Sequence, residues 1–95
     1  MHPITVWIDE TLRQVLRERD AFAVKEMLGD VVLTVEVTPR DDAVAGGIIG
    51  RDGMTINAVR HLAQRMGRTS TTIVDVKIEV ADGKFGRRGP QETRR

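Results

Sequence analysis

The sequence predicts a small α+β domain with the element order helix, strand, strand, helix, helix, strand. Apolar residues recur at helical spacing near the N-terminus and again after Met54. β-Branched residues alternate with period two in two other runs, and glycines and a proline separate these segments. With 95 residues, the chain has room for one modest hydrophobic core.

The first predicted helix runs from about Thr5 to Arg19. Its apolar stripe consists of Ile4, Ile8, Leu12, Val15 and Leu16. Val6 and Ile8 also permit a short strand that precedes a helix beginning at Asp9, so the first turn has two interpretations. Trp7, the one tryptophan, lies at the edge of the stripe and is expected to be a packing or interface residue.

Two strand-like runs follow, residues 22–28 and 31–38, and Gly29-Asp30 divides them. A Gly-Asp pair between two such runs is typical of a hairpin. Pro39 cannot donate a hydrogen bond to a sheet, so it marks the end of the second strand.

A short helix is predicted up to about Ile49, with Asp41-Asp42 as its cap. A longer helix follows from about Met54 to Arg65, and Gly67 closes it. The apolar face of this longer helix consists of Ile56, Val59, Leu62, Ala63 and Met66.

Residues 72–80 alternate at period two and predict the third strand. A connection through two helices makes the second and third strands parallel neighbours. We therefore expect a three-stranded mixed sheet with the helices packed on one face. Residues 1–81 form the predicted domain, and residues 82–95 form a polar tail that is expected to be disordered.

The composition excludes several kinds of site. The absence of cysteine excludes disulfides and thiolate metal sites. No arrangement of nucleophile and base or cluster of metal ligands stands out, so we expect no enzyme activity, no metal and no cofactor. No apolar run approaches the roughly 20 residues of a membrane helix, and the start of the chain lacks the pattern of a signal peptide. A cytoplasmic protein without a membrane partner is expected.

The charge distribution is uneven, although the net charge is only +1. Residues 82–95 hold five cationic and two acidic side chains, a net charge of +3, which leaves −2 for residues 1–81. A basic tail on a small domain indicates a polyanionic partner.

The central motif is Gly50-Arg51-Asp52-Gly53 between the two adjacent helices. Glycines accept backbone angles closed to other residues and let backbone amides approach a ligand closely. The second helix points its N-terminus, with free N–H groups and a partial positive charge, toward this loop. The motif therefore predicts a site for an anion such as a phosphodiester backbone.

With its flanking residues, the motif resembles that of the KH domain. Residues 48–56, Ile-Ile-Gly-Arg-Asp-Gly-Met-Thr-Ile, match the pattern of two aliphatics, Gly-x-x-Gly, two variable residues and Ile. The order of elements resembles the type II, or bacterial, KH arrangement. From about Trp7 to Glu79 the chain is similar to the small bacterial single-KH family KhpA, including Asn57-Ala58-Val59-Arg60, where that family often has Lys-Ala-aliphatic-Arg.

The resemblance implies an RNA-binding protein that holds four nucleotides of single-stranded RNA in a groove beside the glycine loop. It implies an RNA chaperone or post-transcriptional regulator that forms a homodimer or pairs with a second KH protein. The residues it assigns to RNA are Ile48, Ile49, Gly50, Arg51, Asp52, Gly53, Met54, Ile56, Asn57 and Arg60.

The chain departs from the family pattern at Gly47, Met54 and Asn57, where a basic residue often stands. Asp52 adds a negative charge inside the loop. We therefore expect modest RNA affinity from the domain alone. A protein-interaction or dimerisation module with little RNA affinity of its own is the alternative function.

Overall fold

The computed structural model describes residues 1–17 and 21–79. In chain order, its regular elements are α1 (Pro3–Leu16), β1 (Phe22–Leu28), β2 (Val32–Pro39), α2 (Asp42–Ile49), α3 (Met54–Arg68) and β3 (Ile73–Ile78). One turn of 3₁₀ helix, Arg51–Gly53, lies between α2 and α3. The predicted α+β class and the predicted order of elements are confirmed. The tail predicted for residues 82–95 lies outside the described residues.

The three strands form one mixed sheet in the order β1-β2-β3. β1 and β2 are antiparallel, and their register places Leu28 opposite Leu33. β2 and β3 are parallel, and Val35 lies opposite Val76. The hairpin and the parallel crossover predicted from the sequence are therefore both present.

One face of the sheet is buried against the helices, as the alternation predicted. The central strand β2 contributes Leu33, Val35 and Val37, none of which is exposed. The same core cluster includes residues from all three helices, among them Ile4, Ile8, Leu12, Val44, Ile48, Ile56, Val59 and Ala63. On the other face, Lys25, Glu36 and Lys77 are register partners across the three strands. Opposite charges in such a cross-strand row are favourable, and no helix or strand among residues 1–17 and 21–79 covers this open face.

The start of α1 differs from the prediction. The helix begins at Pro3 rather than at Thr5, because the Nδ1 atom of His2 accepts a hydrogen bond from the N–H of Ile4 at 3.1 Å. Proline is also favoured in the first position of a helix, where its missing N–H costs nothing. Val6 is helical, so the alternative of a short first strand is wrong.

The end of α1 also differs. Arg17 has the left-handed conformation, with φ 60°, and its N–H donates to the carbonyl of Arg13. This cap ends the helix at Leu16, before the predicted Arg19. Val15 was predicted to lie in the apolar stripe, but it is exposed.

In α3, Gly67 lies inside the helix and does not close it, because the helix continues to Arg68. A Cβ atom on Gly67 would collide with the carbonyl of Thr72 and would lie 2.7 Å from Cγ2 of Val74. Glycine is therefore needed for the close approach of α3 to β3. Leu62, which was predicted to lie on the apolar face, is one position away from the buried stripe and is exposed.

β3 is shorter than the predicted strand over residues 72–80. The strand begins at Ile73, and Thr72 instead donates its backbone N–H to the carbonyl of Gly67 at 2.8 Å. In the described part of the chain, no helix is long and apolar enough to cross a membrane.

The cross-strand pair Leu28 and Leu33 allows a matched test of this burial pattern. Leu33 is fully buried, whereas Leu28 is 63% exposed. We expect Leu33→Ala to lower the free energy of unfolding by about 2–5 kcal/mol, because it leaves a cavity under the helices. Leu28→Ala is expected to change it by about 0.5 kcal/mol or less. Urea denaturation followed by circular dichroism measures both, and equal losses would contradict the one-faced core.

Candidate nucleic-acid interface

The helix α2 leads into the glycine loop, and Asp41 sets its first turn. The Oδ1 atom of Asp41 accepts a hydrogen bond from the N–H of Val44 at 2.9 Å. This hydrogen bond, together with the neighbouring Arg40 guanidinium, holds the pKa of the Asp41 carboxyl below its ordinary value. The predicted capping role is confirmed for Asp41, whereas Asp42 is the first residue of the helix.

The loop between α2 and α3 depends on left-handed backbone geometry. Gly50 ends α2 with φ 79° and ψ 173°, and its N–H donates to the carbonyl of Gly46 at 2.9 Å. Asp52 and Gly53 also have positive φ values, 56° and 76°. Three of the four loop residues therefore lie in the region that glycine adopts most easily.

Gly50 is constrained by space as well as by its backbone angles. A Cβ atom at this position would lie 2.7 Å from Cβ of Thr55 and 2.9 Å from the backbone nitrogen of Thr55, and it would collide with Oγ1 of the same residue. The loop thus folds tightly onto the first turn of α3. No residue with a side chain fits this position without moving the loop or the helix.

Two consecutive amides of the loop have no acceptor within their own turn. The N–H of Gly53 donates to the carbonyl of Gly50 at 3.1 Å, and that of Met54 donates to the carbonyl of Arg51. Arg51 and Asp52 are the first two residues of the 3₁₀ turn, so their N–H groups have no acceptor within that turn, and both residues are exposed. Successive amides of this kind, in a turn that includes a left-handed residue, form a concavity that attracts anions.

The N-terminus of α3 adds to this attraction. Gly53 precedes the helix and provides no side-chain cap for its first amides. The unpaired amides at a helix N-terminus carry a partial positive charge. The exposed guanidinium of Arg51 lies in the same loop. The loop therefore combines a full positive charge with backbone donors that have no acceptor within their own turn.

Asp52 opposes this positive charge, but the structure gives a reason for its presence. Its φ of 56° lies in the left-handed region, where aspartate is tolerated better than most residues. Its side chain is exposed and stands beside the loop amides. Asp52 is thus compatible with the backbone conformation of the loop, but its negative charge weakens the electrostatic attraction of the loop for an anion.

The aliphatic residues that flank the loop support it from inside the protein. Ile48 is fully buried, and Ile56 is 4% exposed. Both belong to the hydrophobic core and leave little surface for a ligand. Ile49 is half-buried and packs against the same cluster. Of the three predicted groove residues, only Ile49 presents part of its side chain to solvent.

Two other predicted residues lie on the exposed side of α3, close to the loop. Met54 is 67% exposed and begins the helix. Asn57 lies one turn further, and a Cβ atom on Gly53 would be 3.3 Å from its Nδ2 atom. The Asn57 amide is therefore next to the loop, where it can donate hydrogen bonds.

Arg60 has a different environment from the one predicted. Its side chain is half-buried, and its Nε atom donates a hydrogen bond to the carbonyl of Val76 at 3.1 Å. β3 is an edge strand, so this contact ties α3 to the edge of the sheet. This contact places Arg60 in a position that supports the packing of α3.

The role of Thr55 is not predicted by the sequence motif, in which its position is variable. Its side chain lies against Gly50 and determines how closely the loop can approach α3. A glycine followed five residues later by a β-branched residue carries no distinctive signal. Only the fold shows that these two residues meet.

No group of three or more histidine, cysteine, aspartate or glutamate side chains is placed to hold a metal ion within residues 1–17 and 21–79.

Comparisons with protein-family models, with curated protein sequences and with solved structures found no match to the chain.

Two glycines of this region provide a matched test of the loop geometry. A Cβ atom on Gly46 meets nothing within 4 Å, whereas Gly50 has positive φ and no free space. We expect Gly50→Ala to lower the free energy of unfolding by about 1–3 kcal/mol. Gly46→Ala, inside α2, is expected to leave it unchanged or to raise it by up to about 1 kcal/mol. Thermal and urea unfolding measure both variants, and a stable Gly50→Ala protein would contradict the loop conformation described above.

Proposed function

We propose that this chain is a non-catalytic KH-type domain that binds short single-stranded RNA through the Gly50–Gly53 loop. A phosphate of the RNA backbone lies over the amides of Arg51 and Asp52, and the bases extend along the groove beside α3. In this proposal the protein acts in the cytoplasm as an RNA chaperone or post-transcriptional regulator of the KhpA kind, without a cofactor.

The observation that carries the proposal is the pair of amides in two exposed loop residues, Arg51 and Asp52, that have no acceptor within their own 3₁₀ turn. A phosphate oxygen is a strong acceptor, and a hydrogen bond to a charged group contributes about 1.5–3 kcal/mol. The N-terminus of α3 and the Arg51 guanidinium both favour a negative charge at the same place. The family resemblance of residues 48–56 supports the choice of RNA among the possible anions.

The expected affinity of the loop is modest. Asp52 stands in the loop itself, and Met54 and Asn57 provide no positive charge beside it. The Nε atom of Arg60 donates to the backbone of β3, so this side chain is engaged with the sheet edge. Arg51 is therefore the one cation that the proposal places on the phosphate among the described residues.

Reversal of the charge at Arg51 tests this assignment. Arg51→Glu is expected to weaken binding of a four-nucleotide oligouridine at least about tenfold, because it removes a charge-assisted contact and adds repulsion. Lys25→Glu is the matched control, because Lys25 is also exposed but lies on the other face of the sheet. Fluorescence anisotropy measures the dissociation constants. Equal losses in the two variants would show that general charge, and not the loop, attracts RNA.

Removal of the charge at Asp52 is expected to raise the RNA affinity, whereas reversal of the charge at Arg51 is expected to lower it. Asparagine has nearly the same shape as aspartate and also tolerates the left-handed conformation, so Asp52→Asn keeps the loop and removes its negative charge. We expect the affinity for the same oligouridine to rise about two- to fivefold, since one charge near a helix N-terminus contributes about 0.3–1 kcal/mol. An affinity that falls in the Asp52→Asn variant, with circular dichroism unchanged, would place the phosphate elsewhere.

A protein-interaction module is the second candidate, and one surface favours it. Exposed apolar residues gather at the hairpin end of the sheet: Met27, Leu28, Val31, Val32 and Ile73. Val32 and Ile73 are register partners, so they are neighbours on adjacent strands. Self-association in sedimentation experiments, together with no RNA binding by the wild-type protein, would favour this candidate over the first.

A further inference from the structure

The exposed face of α3 carries a row of polar and cationic side chains that the loop proposal does not use. Asn57, His61, Arg65 and Arg68 are three or four positions apart, so they lie on one side of the helix. All four are exposed. The row begins with Asn57, beside Gly53, and ends at the last residue of the helix.

The loop and α3, the helix that carries this row, have an unusual charge for this protein. Residues 51–68 contain four arginines and one aspartate, a net charge of +3, and α3 itself contains no acidic residue. The other residues of 1–81 carry a net charge of −5. Within residues 1–81, the loop and α3 therefore carry a net positive charge, and the other residues carry a net negative charge. Such a distribution attracts a polyanion to this side of the domain.

Arg65 and Arg68 form no ion pair within residues 1–17 and 21–79. Part of their effect is local, since cations in the last turn of a helix interact favourably with its dipole. This interaction explains why two arginines lie at the C-terminus of α3. It does not explain why the row extends back to Asn57, beside the loop.

We infer that single-stranded RNA continues beyond the four-nucleotide groove and follows the α3 row as far as Arg68. This inference rests on the proposed function of the loop. The 15 residues of α3 extend over about 22 Å. At about 3.4 Å for each phosphate of a stacked strand, this length accommodates about six phosphates. Because the groove beside α3 already holds four nucleotides, the preferred ligand is a strand of about six to ten nucleotides, and the nucleotides beyond the groove make no base-specific contacts.

The salt dependence of binding tests the inference. Each phosphate contact on a single strand adds about 0.7 to the slope of log affinity against log salt. Replacement of both arginines, as Arg65→Gln with Arg68→Gln, is expected to reduce the slope by about 1.4 for an oligouridine of about 12 nucleotides. Between about 50 and about 200 mM salt, the wild type then loses about sevenfold more affinity than the variant. The four-nucleotide oligouridine is expected to bind both proteins equally.

The matched control is Lys25→Gln with Lys77→Gln, which removes the same charge from the open face of the sheet. This control is expected to keep the wild-type slope with both lengths of RNA. The wild-type protein alone provides a second measurement that needs no variant. Its slope is expected to be larger for the longer strand by at least about 1.4.

The two proposals fail in different ways. If Arg51→Glu weakens both lengths of RNA while the double arginine variant keeps the wild-type slope, the inference about α3 is wrong and the loop proposal stands. Equal effects of the double arginine variant on the short and the long strand would also overturn the inference. If Arg51→Glu changes neither length, the loop proposal is wrong, and the inference that depends on it is wrong too.

Discussion

Gly50 has no room for a side chain, and the arrangement of α2, the loop and α3 depends on this constraint. Its φ of 79° and its contact with Thr55 turn the chain sharply where α2 ends. The turn places the amides of Arg51 and Asp52 at the start of a 3₁₀ turn, next to the N-terminus of α3. A larger residue at position 50 would push the loop away from α3 and change the positions of these amides.

A second close approach fixes the other end of α3. Gly67 lets the helix lie directly against Thr72 and Val74, and Arg60 ties the middle of the helix to the edge strand β3. These two contacts hold α3 on the sheet along most of its length. The exposed side of α3 begins at Asn57, next to the loop, and ends at Arg68.

Much of the fold was predictable from sequence because its signals are local. The period-two alternation in β2 and the capping position of Asp41 are present in short windows of sequence, and the structure bears them out. The boundaries of α1 were not predictable in this way. They depend on His2 as a cap and on a left-handed Arg17, and neither residue is a preferred choice at its position.

The candidate site was predictable only in part. The glycine spacing identified the loop, and left-handed angles are present at Gly50 and Gly53. The environments of Thr55 and Arg60 depend on contacts with Gly50 and with Val76, and a sequence pattern carries no information about those distances. From sequence alone Gly67 is predicted to end the helix, because its close contact with β3 exists only in the folded protein.

An NMR titration of the backbone amides with a four-nucleotide oligouridine tests the central claim most directly. Hydrogen bonds from the loop to a phosphate predict that the amide signals of Arg51 and Asp52 shift most, and that both shifts are lost in Arg51→Glu. The amides of β1 and of the open sheet face are predicted to stay unchanged. Largest shifts at the hairpin end, around Met27 and Val32, with no change at Arg51 and Asp52, would contradict a phosphate-binding loop.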